Sequence, residues 1–320
     1  MAITLECSPT GLSIKEADLR FVEPWLKSVA FKAGVFDRPF GFEIGYSSSS
    51  LESPERARVM QTLFPGEQDV GFSFEYLPSD NLPEVARLLN FKGGWFAGNG
   101  VTNDFQGLRD FIGRLGLSIP LSDINVAIDG GVSLYEGNVI NRNDSLYEIK
   151  DNAWSLTKVS KYSTNTRSDL GFDGQIYYGD VPFFGGISLR GEYIKGTQPS
   201  LKGSAKSQSG NAPNLTPYYM RDVEGYYAML LLNVDPIKCQ LVGKYDIFDP
   251  NTKLADAQVT STADMKYMTF GYGLIYHWSE NVKLEAYYEN VQNEKITDAK
   301  HVYDNELKDD VVTLRVQYKF

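Results

Sequence analysis

Apolar and polar residues alternate with a period of two through most of the chain, the signature of strands with one dry face and one wet face. At the carboxy end, Val312, Leu314, Val316, Tyr318 and Phe320 fall on one face, and Thr313, Arg315, Gln317 and Lys319 on the other. "NVKLEAYYENV" sets Val282, Leu284, Ala286 and Tyr288 against Lys283, Glu285, Tyr287 and Glu289. "KYMTFGYGLIYHW" sets Met268, Phe270, Tyr272, Leu274, Tyr276 and Trp278 against Thr269, Gly271, Gly273 and His277, with Ile275 as an exception. "CQLVGKYDIF", "GISLRGEY", "LGFDGQIYYGD", "INVAIDGGVSL", "RDFIGRLGLSI", "DVGFSFEY" and "KSVAFKAGVF" follow the same rule. About thirteen strands result, from "KEADLRF" to the final stretch. Their connections alternate in length. Short ones lie at 120–123, 181–184, 235–238 and 279–280, and long polar ones at 138–167, 196–221, 249–264 and 295–308. "LPEVARLLN" breaks the alternation and predicts a short helix.

Short turns at one end and long loops at the other predict an all-β fold, a transmembrane antiparallel β-barrel. Hydrocarbon offers backbone amides no water, so spanning strands must close on one another. The apolar face then turns to lipid and the polar face to a water-filled lumen. A soluble sandwich would need the apolar face for its own centre, and a polar inner face on nearly every strand leaves no material for one. The 20 tyrosines sit mostly at strand ends, where interfacial girdles belong.

The net charge of −10 argues against a nucleic-acid partner. Cys7 and Cys239 show neither metal nor redox spacing and read as unremarkable thiols, Cys239 being placed to face lipid. No run approaches the ~20 apolar residues of a membrane helix. "MAITLECSPTG" has no basic region followed by an apolar stretch, as a secretory leader would. Bacterial single-chain barrels have even strand numbers. The odd count and the missing leader together predict that the leader and first strands precede Met1.

The most distinctive segment is "SVAFKAGVFDRPFGFEIGYSSSSLESPERARVMQTLFPGEQDVG". Its elements are Gly34-Val35-Phe36, then Arg38-Pro39-Phe40-Gly41-Phe42-Glu43, the serines Ser47–Ser50, Pro54-Glu55-Arg56, and Pro65-Gly66. In that order they resemble the corresponding part of the phosphate-selective porin O and P family of outer-membrane porins. The resemblance covers this segment in motif and most of the chain in pattern. It implies a single barrel domain of roughly sixteen strands, in which residues 37–68 are the constriction loop folded into the lumen. The bare sequence agrees: Phe40, Phe42, Ile44, Leu63 and Phe64 are apolar content that a loop dangling in water would not need. The alternative is a plug or a lid packed on the rim, since long loops are generally surface features.

Selectivity in such a pore comes from charged side chains around its narrowest part. On the inward face the basic candidates are Arg20, Lys32, Arg114, Arg190, Lys244, Lys283, Arg315 and Lys319. The acidic ones are Asp18, Glu75, Asp129, Asp173, Glu192, Asp246, Glu285 and Glu289. The two sets balance, which favours salt-bridged neighbours over a phosphate-selective ladder. In the constriction loop, Arg38, Arg56 and Arg58 are the expected anion contacts, by bidentate pairing. Glu43, Glu52 and Glu55 beside them are competing partners.

Enzymatic chemistry finds little support. His277 and His301 are the only histidines, and neither sits in an evident Ser/His/Asp arrangement. "GGWFAGNG" lacks the lysine and the strand–helix context of a phosphate loop. No metal site and no cofactor are expected. The sequence therefore predicts an outer-membrane porin of a Gram-negative bacterium, passing small polar or anionic solutes, phosphate among them, by passive diffusion. The expected partners are outer-membrane lipid, two further copies in a trimer, and the barrel-assembly machinery. The resemblance assigns Tyr318 and Phe320 to the assembly signal. A plugged structural or surface-binding barrel is the competing class.

Overall fold

The computed structural model describes residues 2–8, 11–102, 107–182, 184–207, 216–296 and 307–319. Among these residues sixteen strands belong to one sheet, antiparallel except where Tyr147 meets Tyr219 in parallel. They are β1 (Ala2–Ser8), β2 (Gly11–Val22), β3 (Val29–Asp37), β4 (Gln68–Tyr76), β5 (Leu89–Phe96), β6 (Asp110–Leu121), β7 (Val126–Ile140), β8 (Ser145–Lys150), β9 (Ala153–Lys158) and β10 (Thr164–Tyr178). The remainder are β11 (Ile187–Ser200), β12 (Tyr219–Val234), β13 (Cys239–Asp249), β14 (Tyr267–His277), β15 (Val282–Asn293) and β16 (Val311–Tyr318). Fourteen of them form an up-and-down meander in which each pairs with the next and β7 pairs directly with β10. The meander has one strand more than the sequence count, because β1 precedes the first strand recognised there. The missed strand shows only a short alternation, Ile3 and Leu5 outward, interrupted by an irregularity between Thr4 and Leu5.

The sheet is curled. Residues 48–54, one short stretch between β3 and β4, touch both ends of the strand order. Ser48 accepts a hydrogen bond from Lys15 of β2 at 3.1 Å, while the carbonyls of Ser49 and Pro54 accept from Gln317 and Arg315 of β16. Among the described residues β1 and β16 are not paired with each other.

Register follows the pleat. Shifting a strand by one residue would turn its whole apolar set inward, so a one-sided dry environment pins the pairing. Val132, Leu134, Leu170, Phe172, Leu189, Leu230, Leu241 and Leu274 all stand exposed on the outer face. At the short-turn end Trp25 and Trp278 project outward, and Trp278 meets Tyr276 edge-on at 6.2 Å between centroids. The predicted short helix is present as α2 (Glu84–Arg87). A second, α1 (Arg58–Leu63), lies in the long β3–β4 connection.

Two expectations need correction. First, the inner face is not uniformly polar. Phe96, Ile112, Ile194, Val223, Met229, Leu231, Val242, Phe248 and Ile275 point inward and are buried in one cluster with residues of the β3–β4 loop. Ile275 is thus a member of an internal core and no exception to its strand. Second, residues 138–167 are not a plain polar loop. They extend β7 and β10 and carry the β8–β9 hairpin, which meets β12 through Tyr147 and Tyr219, rings stacked at 4.3 Å. Arg221, 1% exposed, lies over the Trp154 and Tyr219 rings and pairs with Asp264 at 2.9 Å. The long connections therefore own a small core of Leu254, Val259, Met265 and Ile296 with Ile149 and Trp154 packed on it.

The outer face generates a direct prediction. Phe172, 46% exposed near the middle of β10, is replaced by arginine. Refolded into lipid vesicles, Phe172→Arg should lose about 2–4 kcal/mol in a denaturant titration. Unchanged stability would contradict a hydrocarbon environment for this face.

Candidate solute passage

Residues 38–67 leave β3, cross the inside of the curled sheet and return to β4. Their backbone amides need partners there, since a buried unpaired amide costs about as much as a lost hydrogen bond. The wall supplies carboxylates. Glu192 of β11 accepts the amides of Phe42 at 2.9 Å and Glu43 at 2.6 Å, and also the Tyr227 hydroxyl at 2.8 Å. Asp246 of β13 accepts the amide of Arg58 at 2.7 Å, where α1 begins. Ser133 of β7 accepts the amide of Gly41 at 2.9 Å. Lys283 donates to the Leu51 carbonyl at 2.9 Å.

The motif that carried the family resemblance is the part that makes this path. Gly41 has φ +64°, and a side chain there would run into the Glu192 carboxylate, so glycine is required twice over. Phe40 and Phe64 pack at 4.7 Å between centroids and join the internal core with Ile44, Val59, Met60 and Leu63. Glu43 accepts the amide of Ala57 at 2.8 Å, which folds the loop back on itself, and its carboxylate lies 3.6 Å from Lys244. Arg56 closes the loop with two bonds to Glu67, at 2.6 and 2.8 Å, and a third to the Tyr46 carbonyl at 2.8 Å.

The structure disperses the expected anion contacts. Arg38 is 4% exposed and pairs with Asp69 at 3.4 Å. Arg56 is buried in the contacts just described. Arg58 is half-buried, with its guanidinium 4.0 Å over the Tyr267 ring. Glu55 is exposed, and its carbonyl accepts from Lys244 at 3.2 Å. On the wall, salt bridges join Arg20 to Glu75 at 2.7 Å, Lys32 to Asp18 at 3.6 Å and Arg114 to Asp173 at 2.5 Å. Others join Arg190 to Glu52 at 3.1 Å and Arg315 to Glu285 at 3.6 Å. Arg190 also lies 5.0 Å over the Tyr46 ring. Tyr318 is on the outer face of β16; Phe320 and His301 lie outside the described residues. His277 is exposed at the end of β14. Nearby Ser279 uses its oxygen to accept the amides of Asn281 and Val282, a turn and not an activated hydroxyl.

The loop packs on β11–β15 and also, at one level, on Phe96, Ile112, Ser133 and Tyr135 of β5–β7, and leaves space beside its first limb. A cavity of about 450 Å³ lies between its first limb and strands β3–β7. Lys32, Lys92, Arg114, Glu75, Asp129 and Tyr46 line it. Lys92 is the residue that sequence reasoning missed. It faces inward from β5, exposed, directly opposite Glu75 on β4 and Arg114 on β6, with no carboxylate in ion-pair reach among the described residues. The signal was present: Asn90, Lys92, Gly94 and Phe96 alternate in "NFKGGWF". The glycines of that stretch drew attention to loop chemistry instead.

No protein-family model matches this chain, and no curated protein matches it. Among solved structures it is similar to the high-pH structure of Pseudomonas putida OprB, at 9% identity over 98% of this chain and 74% of that one, with a TM-score of 0.56. It is also similar to a refined porin structure, at 10% identity over 91% of this chain and 77% of that one, with a TM-score of 0.46. The fold is that of a porin, a statement that rests on the likeness to OprB and on the antiparallel sheet itself.

Two outcomes follow from the loop contacts. Replacing Glu192 by alanine strands two buried amides and a hydroxyl, and should cost roughly 1–3 kcal/mol in thermal or denaturant unfolding. The control Asp129→Ala, at the cavity edge, should stay within about 0.5 kcal/mol. Burial pushes the Glu67 carboxyl up, but the hydrogen bond and charge of Arg56 outweigh it and hold the group below its ordinary value of 4.5. That contribution to stability is fully present above pH 4.5 and is lost as pH falls through the depressed folded value. The acid limb of a stability–pH profile should therefore flatten in Glu67→Gln. An unchanged limb would exclude the pairing.

Proposed function

We propose that the chain is an outer-membrane porin, a passive channel for small polar and anionic solutes, with residues 37–68 as its constriction. The observation that carries this reading is the cavity beside the loop: polar groups of β3–β7 face an open space, while the outer face of the same strands is apolar. Solutes pass between the first limb of the loop and the β3–β7 wall. The long connections face outward from the cell and the short turns face the periplasm, as is usual for such barrels. Outer-membrane lipid, two further copies in a trimer and the assembly machinery are the partners this reading brings with it, with Tyr318 and Phe320 as the assembly signal.

Charge sets the preference. Most wall cations are consumed by neighbouring carboxylates, so they stiffen the wall more than they attract solute. Lys92 retains an open charge and tilts the passage toward anions. Inorganic phosphate, which the family resemblance nominates, is one such anion. A second reading has its own support: the internal core reaches from Phe96, Ile112 and Tyr135 of β5–β7 to residues of β11–β15, so that the barrel would be a plugged one that presents its long loops to a partner.

Planar-bilayer recording separates the two. The porin reading predicts stable unit conductance steps and a reversal potential on the anion side in a salt gradient. Lys92→Glu should move that potential toward cations, and phosphate should lower chloride current in the unaltered chain alone. A folded chain that never conducts would establish the plug.

A further inference from the structure

Four residues on four strands form one in-register row on the inner face: Asn90 on β5, Gly116 on β6, Gly131 on β7 and Asp173 on β10. Arg114, two residues before Gly116 on the same face, lays its guanidinium along this row. Nε and Nη2 donate to Asp173 at 2.9 and 2.5 Å, and Nη1 donates to Asn90 at 3.0 Å. The group thus spans from a partner on β5 to one on β10, across two intervening strands. Neighbouring strands are ~4.8 Å apart, so the guanidinium must lie flat on the backbone between its partners. The two residues beneath it have no side chain. A Cβ on Gly131 would stand 2.6 Å from the guanidinium carbon, and one on Gly116 would stand 2.5 Å from Nη1. Neither glycine has a positive φ, so the backbone itself would accept alanine at both.

We infer that Gly116 and Gly131 are positioning residues: together they form a side-chain-free seat that keeps Arg114 flat against the passage wall and so fixes the width and the charge at that level. The inference rests on the porin reading. Arg114 borders the cavity with its side chain 18% exposed, while its partner Asp173 is wholly covered. A methyl group on the seat would lift the flexible end of Arg114 off Asp173 and into the space that solute uses. The passage narrows, and a cation formerly paired stands free in it. Asp173, still buried, loses its partner.

The test uses the full chain in planar bilayers, with folding checked by heat-modifiable gel mobility. Gly131→Ala should fold, conduct with smaller unit steps, and shift the reversal potential further to the anion side. In Arg114→Ser there is nothing to lift, so Gly131→Ala/Arg114→Ser should conduct as Arg114→Ser does. If Gly131→Ala conducts with the steps and potential of the unaltered chain, the seat has no role and the inference is wrong. If the loss of conductance persists undiminished on the Arg114→Ser background, the methyl acts on the wall itself, and the inference is again wrong. A folded, unaltered chain that is silent sinks the porin reading and the inference with it. A conducting chain with an indifferent Gly131→Ala sinks the inference alone.

Discussion

Two consecutive amides, of Phe42 and Glu43, donate to the single buried carboxylate of Glu192, and the arrangement of the interior depends on that contact. A loop can enter a barrel only if its amides find acceptors there. Glu192 supplies them at the start of the inserted segment and Asp246 at the start of α1. Held at these points, the loop presses Phe40, Ile44, Val59 and Phe64 onto Ile194, Val223 and Val242. Burial of that apolar area, which also takes in Phe96, Ile112 and Tyr135 of β5–β7, then does what hydrogen bonds alone do not: it fixes the level at which the loop crosses the interior. The cavity beside its first limb, where we propose that solute passes, is the space left over.

The same constraint explains what the sequence showed plainly and what it hid. Strands were legible because an apolar outer face and a mostly polar inner face impose strict alternation, and the "RPFGFE" segment was legible as a loop with too much apolar content for water. The apolar residues on the inner face were not legible. Ile275 broke an apparent rule because the core it joins includes loop residues more than two hundred positions away in the chain. Periodicity describes a strand against one environment per face, and this inner face has two. Arg38 and Arg56 looked available for anions because sequence shows their type but not Asp69 and Glu67 beside them. Lys92 was passed over for the converse reason, an ordinary strand lysine whose value comes from lacking a partner.

Charge pairing and glycine placement act together on the passage side. Lys32 is tied to a carboxylate of the adjacent strand, and Arg20 and Arg114 to carboxylates two strands away, which stiffens the wall without a large net field. The glycines of β6 and β7 decide where the Arg114 group lies, flat on the wall or out in the space. Under the proposed porin reading, a passage narrowed by the loop and nearly neutral along the wall is suited to filtering by size, with Lys92 as the group that would set a sign preference.

The central claim is that solute moves along the β3–β7 wall and not along the half covered by the loop. Cysteine accessibility tests it most directly. In a chain with Cys7 and Cys239 replaced by serine, Lys92→Cys places a thiol in the cavity and Met229→Cys places one under the loop core. A membrane-impermeant, charged thiol reagent should reduce unit current through Lys92→Cys and leave Met229→Cys unchanged. Current that responds at position 229 and is indifferent at position 92 would contradict the account.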